Sequence, residues 1–177
     1  MRILIADLRN PMKTYLTLYF LLLCSGCAAM PAPKIEPADF QVLTGNIWVG
    51  TLTYLDYGGG QKTSIASTLT VTQSTEDKLK WKFDYQYPDE PKANKKSDVM
   101  LAADGATVDG YKVIEKIYLP DGMLKLVTQR NDKDNNKAAT LRYSYFYTAT
   151  KFSIKKEVKY DGINDFIERN EYSWKRQ

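Results

Sequence analysis

Residues Lys78-Leu79-Lys80-Trp81-Lys82-Phe83-Asp84-Tyr85-Gln86-Tyr87 alternate without a break, apolar or aromatic at every odd position and polar at every even one. A period of two sends successive side chains to opposite faces of a strand. This segment is therefore a β-strand with one buried and one wetted face. Three further stretches repeat the pattern. Ile65, Leu69 and Val71 sit between Ser, Thr and Ala. Leu141, Tyr143, Tyr145 and Tyr147 oppose Thr140, Arg142, Ser144 and Thr148. Phe152, Ile154 and Val158 oppose Ser153, Lys155, Glu157 and Lys159. Less regular strands are expected at 47–54, 99–101, 111–119, 123–129 and 166–174.

Turn residues fall between these runs: Gly58-Gly59-Gly60, Pro88-Asp89-Glu90-Pro91, Asp104-Gly105, Asp109-Gly110, Pro120-Asp121-Gly122, Asn131–Asn136 and Asp161-Gly162. Asp-Gly suits the positive φ angles of tight hairpins. No long helical period interrupts the series. The expectation is an all-β fold, an antiparallel up-and-down barrel of about 8–10 strands over residues 40–177, because closure removes exposed edges. A two-sheet β-sandwich is the alternative.

The first 26 residues read as an address. Lys13 precedes the apolar run 14–23, followed by Cys24-Ser25-Gly26-Cys27. A charge, a short apolar run and small residues before a cleavage point make a signal peptide, and the run is shorter than the ~20 residues of a membrane-spanning helix. Read from Met12, this leader has ordinary proportions, so Met12 is the expected translation start. Residues 27–39 hold Pro31, Pro33 and Pro37 and are expected to form an extended tether.

Dividing the chain at Cys27 changes what its composition means. The 25 Lys plus Arg and 21 Asp plus Glu give +4, but 1–26 contain Arg2, Arg9, Lys13 and Asp7, which leaves +2 for the rest. That is too little clustered charge for a nucleic-acid partner. The chain has no histidine, which removes His-based triads and most transition-metal sites. Its two cysteines are Cys24 and Cys27, so the body lacks thiol chemistry and Cys-ligated metals. No cofactor is expected.

Ser25-Gly26-Cys27 resembles the lipobox of bacterial prolipoproteins, with Cys24 where Leu is usual. The resemblance implies that Cys27 becomes the mature N-terminus and carries a thioether-linked diacylglycerol with an added acyl chain such as palmitate. Two or three chains anchor stably where one does not. It places the protein in the bacterial cell envelope, and Ala28 after the cysteine, rather than Asp, implies the outer membrane, facing the periplasm or the cell surface. Leu43-Thr44-Gly45-Asn46-Ile47-Trp48-Val49-Gly50 is similar to the first strand of the lipocalin/calycin superfamily, although the spacing is Gly-x-x-Trp instead of Gly-x-Trp. There the Trp closes one barrel end under an Arg of the last strand. The resemblance implies that role for Trp48, with Arg169 as its cation and Arg176 as the second candidate.

Candidate sites divide unequally. Asn131-Asp132-Lys133-Asp134-Asn135-Asn136 alternates oxygen ligands, but a calcium loop from Asp132 would want Gly and Glu where Lys137 and Tyr143 stand, so a polar hairpin is expected. Asp89 and Glu90, flanked by prolines, Lys92, Lys95 and Lys96, read as a solvated turn. Gly58-Gly59-Gly60 lacks the continuation of a phosphate loop. The aromatic residues are more informative: Trp81, Phe83, Tyr85 and Tyr87 share one strand face, and Tyr143, Tyr145 and Tyr147 another. Such faces are either solid core or the wall of a ligand cavity. The candidate lining is Trp81, Phe83, Tyr85, Tyr143, Tyr145 and Tyr147. The expected function is a lipid-anchored, non-enzymatic binder of a small hydrophobic or aromatic ligand. The alternative is an accessory protein with a solid barrel that docks on an envelope protein, and a hydrolase of envelope material comes third.

Overall fold

A computed structural model describes residues 31–56 and 58–177. The segment expected to be a signal peptide, with Met12 and Cys27, lies outside the described residues. A short helix, α1 (Pro37–Gln41), precedes ten strands: β1 (Ile47–Leu55), β2 (Lys62–Gln73), β3 (Lys80–Gln86), β4 (Lys95–Met100), β5 (Thr107–Val108), β6 (Tyr111–Tyr118), β7 (Leu124–Asp134), β8 (Lys137–Tyr147), β9 (Lys151–Tyr160) and β10 (Ile167–Arg176). They form one antiparallel sheet in the order β4-β3-β2-β1-β10-β9-β8-β7-β6-β5. Each strand pairs with its sequence neighbour, except that β1 pairs with β10, and β4 meets β5 only through a bridge from Leu101 to Val108. Asp109 N–H donates to the Met100 carbonyl at 2.8 Å and Ala102 N–H to the Thr107 carbonyl at 3.0 Å. The result is a nearly closed up-and-down barrel, not a sandwich.

Turn chemistry fixes the register of two hairpins. Asp109 and Gly110 both have positive φ between β5 and β6, as do Asn135 and Asn136 between β7 and β8. Such two-residue turns match the right-handed twist of the flanking strands. The polar stretch expected as one long turn is therefore mostly strand: 131–134 continue β7, and only Asn135-Asn136 turn.

Side chains of the odd positions of β3 point inward and pack with Leu69, Val71, Leu126, Phe152 and Trp174. The outer face carries cross-strand ion pairs, including Lys80 with Asp98 at 2.7 Å and Lys96 with Asp84 at 3.1 Å. A charged exterior around an apolar interior is the inverse of a membrane-spanning barrel, whose outer band is apolar.

The folded body begins before Phe40. Ile35 is buried, and its N–H donates to the Gly105 carbonyl at 2.9 Å. Pro37 opens α1 at the first turn, where its missing N–H costs nothing. The tether expected through Asp39 thus ends in a docked segment, because Ile35, Phe40 and Leu43 supply apolar surface that the barrel end covers.

Candidate functional site

One barrel end is shut. Phe40 is fully buried, its ring 5.7 Å from Trp81, 6.3 Å from Phe83, 6.2 Å from Tyr145 and stacked on Tyr147 at 6.3 Å. Such aromatic contacts add roughly 0.5–1.5 kcal/mol each beyond burial. Asp39, also buried, accepts hydrogen bonds from Glu36 N–H and Lys116 Nζ at 2.7 Å and from the Tyr118 hydroxyl at 3.2 Å. This ties α1 to β6.

The Trp48 indole N–H donates to the Leu43 carbonyl at 2.8 Å, and the guanidinium above its ring, at 4.5 Å, belongs to Arg176. Arg176 also donates to the Val42 carbonyl. The resemblance had put Arg169 there first; the structure corrects this. β10 runs from the open end to the closed one, so Arg176 pairs in register with Trp48. Arg169 lies in a bulge near the start of the strand, 3.3 Å from Asp134.

The opposite end is a cup of about 230 Å³. β3 supplies Phe83 and Tyr85, β8 Tyr143 and Tyr145, β9 Ile154 and β10 Tyr172, while β4 and β9 place Lys95 and Lys156 at the mouth. Four candidate lining residues, Phe83, Tyr85, Tyr143 and Tyr145, meet there. Trp81 and Tyr147 do not reach it; they pack around Phe40, which fills their half of the barrel.

Burial dominates the electrostatics of these walls. It raises the Tyr85, Tyr145 and Tyr172 hydroxyls above the usual tyrosine value, and brings Tyr111 up to about 12. All four are neutral donors at physiological pH. The Tyr172 hydroxyl is 2.6 Å from that of Tyr87. Asp109 is pushed up by burial, although one of its oxygens accepts the Met100 N–H at 2.7 Å. Lys95 is held below the ordinary lysine value, by burial first and by the Lys156 charge second. Lys156 pairs with Asp134 at 3.0 Å, and the Tyr160 hydroxyl donates to the other Asp134 oxygen at 2.7 Å.

Sequence reasoning missed Lys95, Tyr111, Tyr172, Asp109 and Lys156. Lys95 was grouped with an exposed turn, yet Lys95, Ser97 and Val99 alternate with Lys96, Asp98 and Met100, and that weak period was the available signal. Asp89 and Glu90 are exposed in the 87–94 turn, and Asp132 pairs with Arg130, two residues before it on β7.

The class these observations define is an antiparallel up-and-down β-barrel, plugged at one end and hollow at the other. The chain matches no family model, and no curated protein matches it.

Proposed function

We propose that this chain is a lipid-anchored bacterial envelope protein, without enzymatic activity, that holds a small hydrophobic or aromatic molecule in its barrel. The observation that carries the reading is the half-filled interior: Phe40 occupies one half of the barrel, and the aromatic walls of the other half enclose a cup of about 230 Å³. Pockets combine apolar walls with a few polar groups, and the cup has both. A solid barrel would have favoured docking on a protein instead. A glycosidase-like site needs two carboxyls flanking a bond, and the cup lining offers one, Asp109.

Native mass spectrometry of the purified chain tests the binding reading. A co-purifying small molecule, or uptake of an added naphthalene derivative, is the expected result; neither occurring would refute it. Incorporation of labelled fatty acid tests the anchor separately. Cys27→Ala should abolish the label, and undiminished labelling would overturn lipidation at that position.

A further inference from the structure

We infer that the cup takes a small ring compound bearing an anionic group, a carboxylate or sulfonate, which Lys95 meets at the mouth. This rests on the ligand-binding reading above and gives that ligand a chemical class.

Lys95 lies on the inner face of β4, paired in register with Tyr85. Its ammonium stands 4.8 Å from the Tyr85 ring and 5.8 Å from the Tyr172 ring. Among the described residues no carboxylate comes within ion-pair distance of it. Ring faces attract the charge but occupy none of its three N–H donors in the way an oxygen does. The other lysine lining the cup, Lys156, is paired: its ammonium lies 3.0 Å from Asp134, which Arg169 also approaches. Asp109 is the carboxylate that lines the cup itself, and it is engaged by the Met100 N–H. Of the two lysines lining the cup, Lys95 is therefore the one without a carboxylate beside it, and it stands over aromatic walls.

Volume and floor choose a ring over a chain. The cup holds about 230 Å³, roughly eight water volumes at ~30 Å³ each. Phe83 and Tyr145 close its bottom against Phe40, so a long acyl chain has nowhere to extend. A one- or two-ring molecule lies among Tyr85, Tyr145 and Ile154 with its charged group at the mouth, where water still reaches Lys95. A charge-assisted hydrogen bond there favours an anion over its neutral isostere by about tenfold.

The test titrates the full chain with three matched probes: naphthalene-2-carboxylate, naphthalene-2-carboxamide and 2-naphthylmethylammonium. The carboxylate should bind about tenfold tighter than the amide, with the ammonium weakest. Lys95→Met should erase the difference while leaving amide affinity within about twofold, and Lys95→Arg should retain it. Asp109→Asn, which removes the opposing charge, should raise carboxylate affinity. Equal binding of carboxylate and amide, or a preference that survives Lys95→Met, overturns the anion assignment and leaves the cup as a binding site. Failure of all three probes to bind overturns both readings.

Discussion

Gly50 sits where β1 is pinched between β2 and β10, opposite Ser67 and Trp174. Its backbone angle is ordinary, and what it supplies is room: a Cβ would lie 1.9 Å from the Ser173 carbonyl oxygen and 2.8 Å from the Trp174 Cα. Backbone atoms cannot rotate away as a side chain can. Gly50→Ala should therefore cost about 3 kcal/mol, read as a lower urea midpoint with unchanged slope. Alanine at Gly58, where the nearest atom is an Asp56 carboxylate oxygen at 3.5 Å, should be tolerated. Asp109 supports a second residue-level prediction. Burial raises its acid above the ordinary carboxylate value, so the native state holds the proton more tightly than the unfolded chain. The stability it contributes is present at low pH and is lost as pH rises through its folded value. Asp109→Asn keeps the acceptor for Met100 N–H and suits the positive φ of 51°. Thermal melts should show the variant gaining more over wild type at pH 7 than at pH 4; an equal gain at both would disprove the burial penalty.

At the scale of elements, α1 is five residues long and too short to be stable alone. Its place depends on Phe40, on the Asp39–Lys116 pair and on Gly105, where φ is +72° and a Cβ would meet the Ile35 carbonyl oxygen at 2.4 Å. Phe40→Ala should cost about 3–5 kcal/mol and also deepen the cup, because Phe40 touches Phe83 and Tyr145 from below. Chemical denaturation measures the first effect, and acceptance of three-ring probes that wild type refuses measures the second. This plug explains what the sequence could and could not say. Strands β3, β8 and β9 were legible because half their positions are strongly apolar and half strongly polar. The 131–134 extension of β7 and the start of β4 were not, since polar residues occupy both faces there and cancel the period. Two-residue β5 is too short to carry a period at all. The shared face of Tyr143, Tyr145 and Tyr147 was readable, but its division into core and cup was not. That division is made by a side chain about a hundred residues earlier, arriving from a segment whose prolines suggested an extended tether.

For the whole molecule, the meander sorts the connections into two sets. The 74–79, 101–106, 119–123 and 148–150 segments lie at the plugged end, with the incoming chain at Ile35 and the end of β10. The 58–61, 87–94, 109–110, 135–136 and 161–166 segments ring the mouth. Seven residues separate Cys27 from Ile35, eight steps with a reach of at most about 28 Å when fully extended. A strand of ten residues rises about 34 Å along its own axis, or roughly 25 Å along a barrel axis at the usual tilt. If Cys27 is the lipid anchor proposed above, the tether meets the barrel at its plugged end, and the expected orientation sets that end nearer the bilayer with the mouth away from it, since only a fully extended tether laid along the barrel would reach the mouth. Energy transfer to a headgroup acceptor in vesicles checks this, because residues 28–177 contain no cysteine and an introduced one is labelled uniquely there. A dye on Asp121→Cys, at the plugged end, should transfer more efficiently than one on Asp161→Cys, at the mouth. Equal transfer from both positions would mean that the barrel lies on its side, and the reverse order would mean that the mouth faces the lipid, which would make the bilayer itself the source of the ligand.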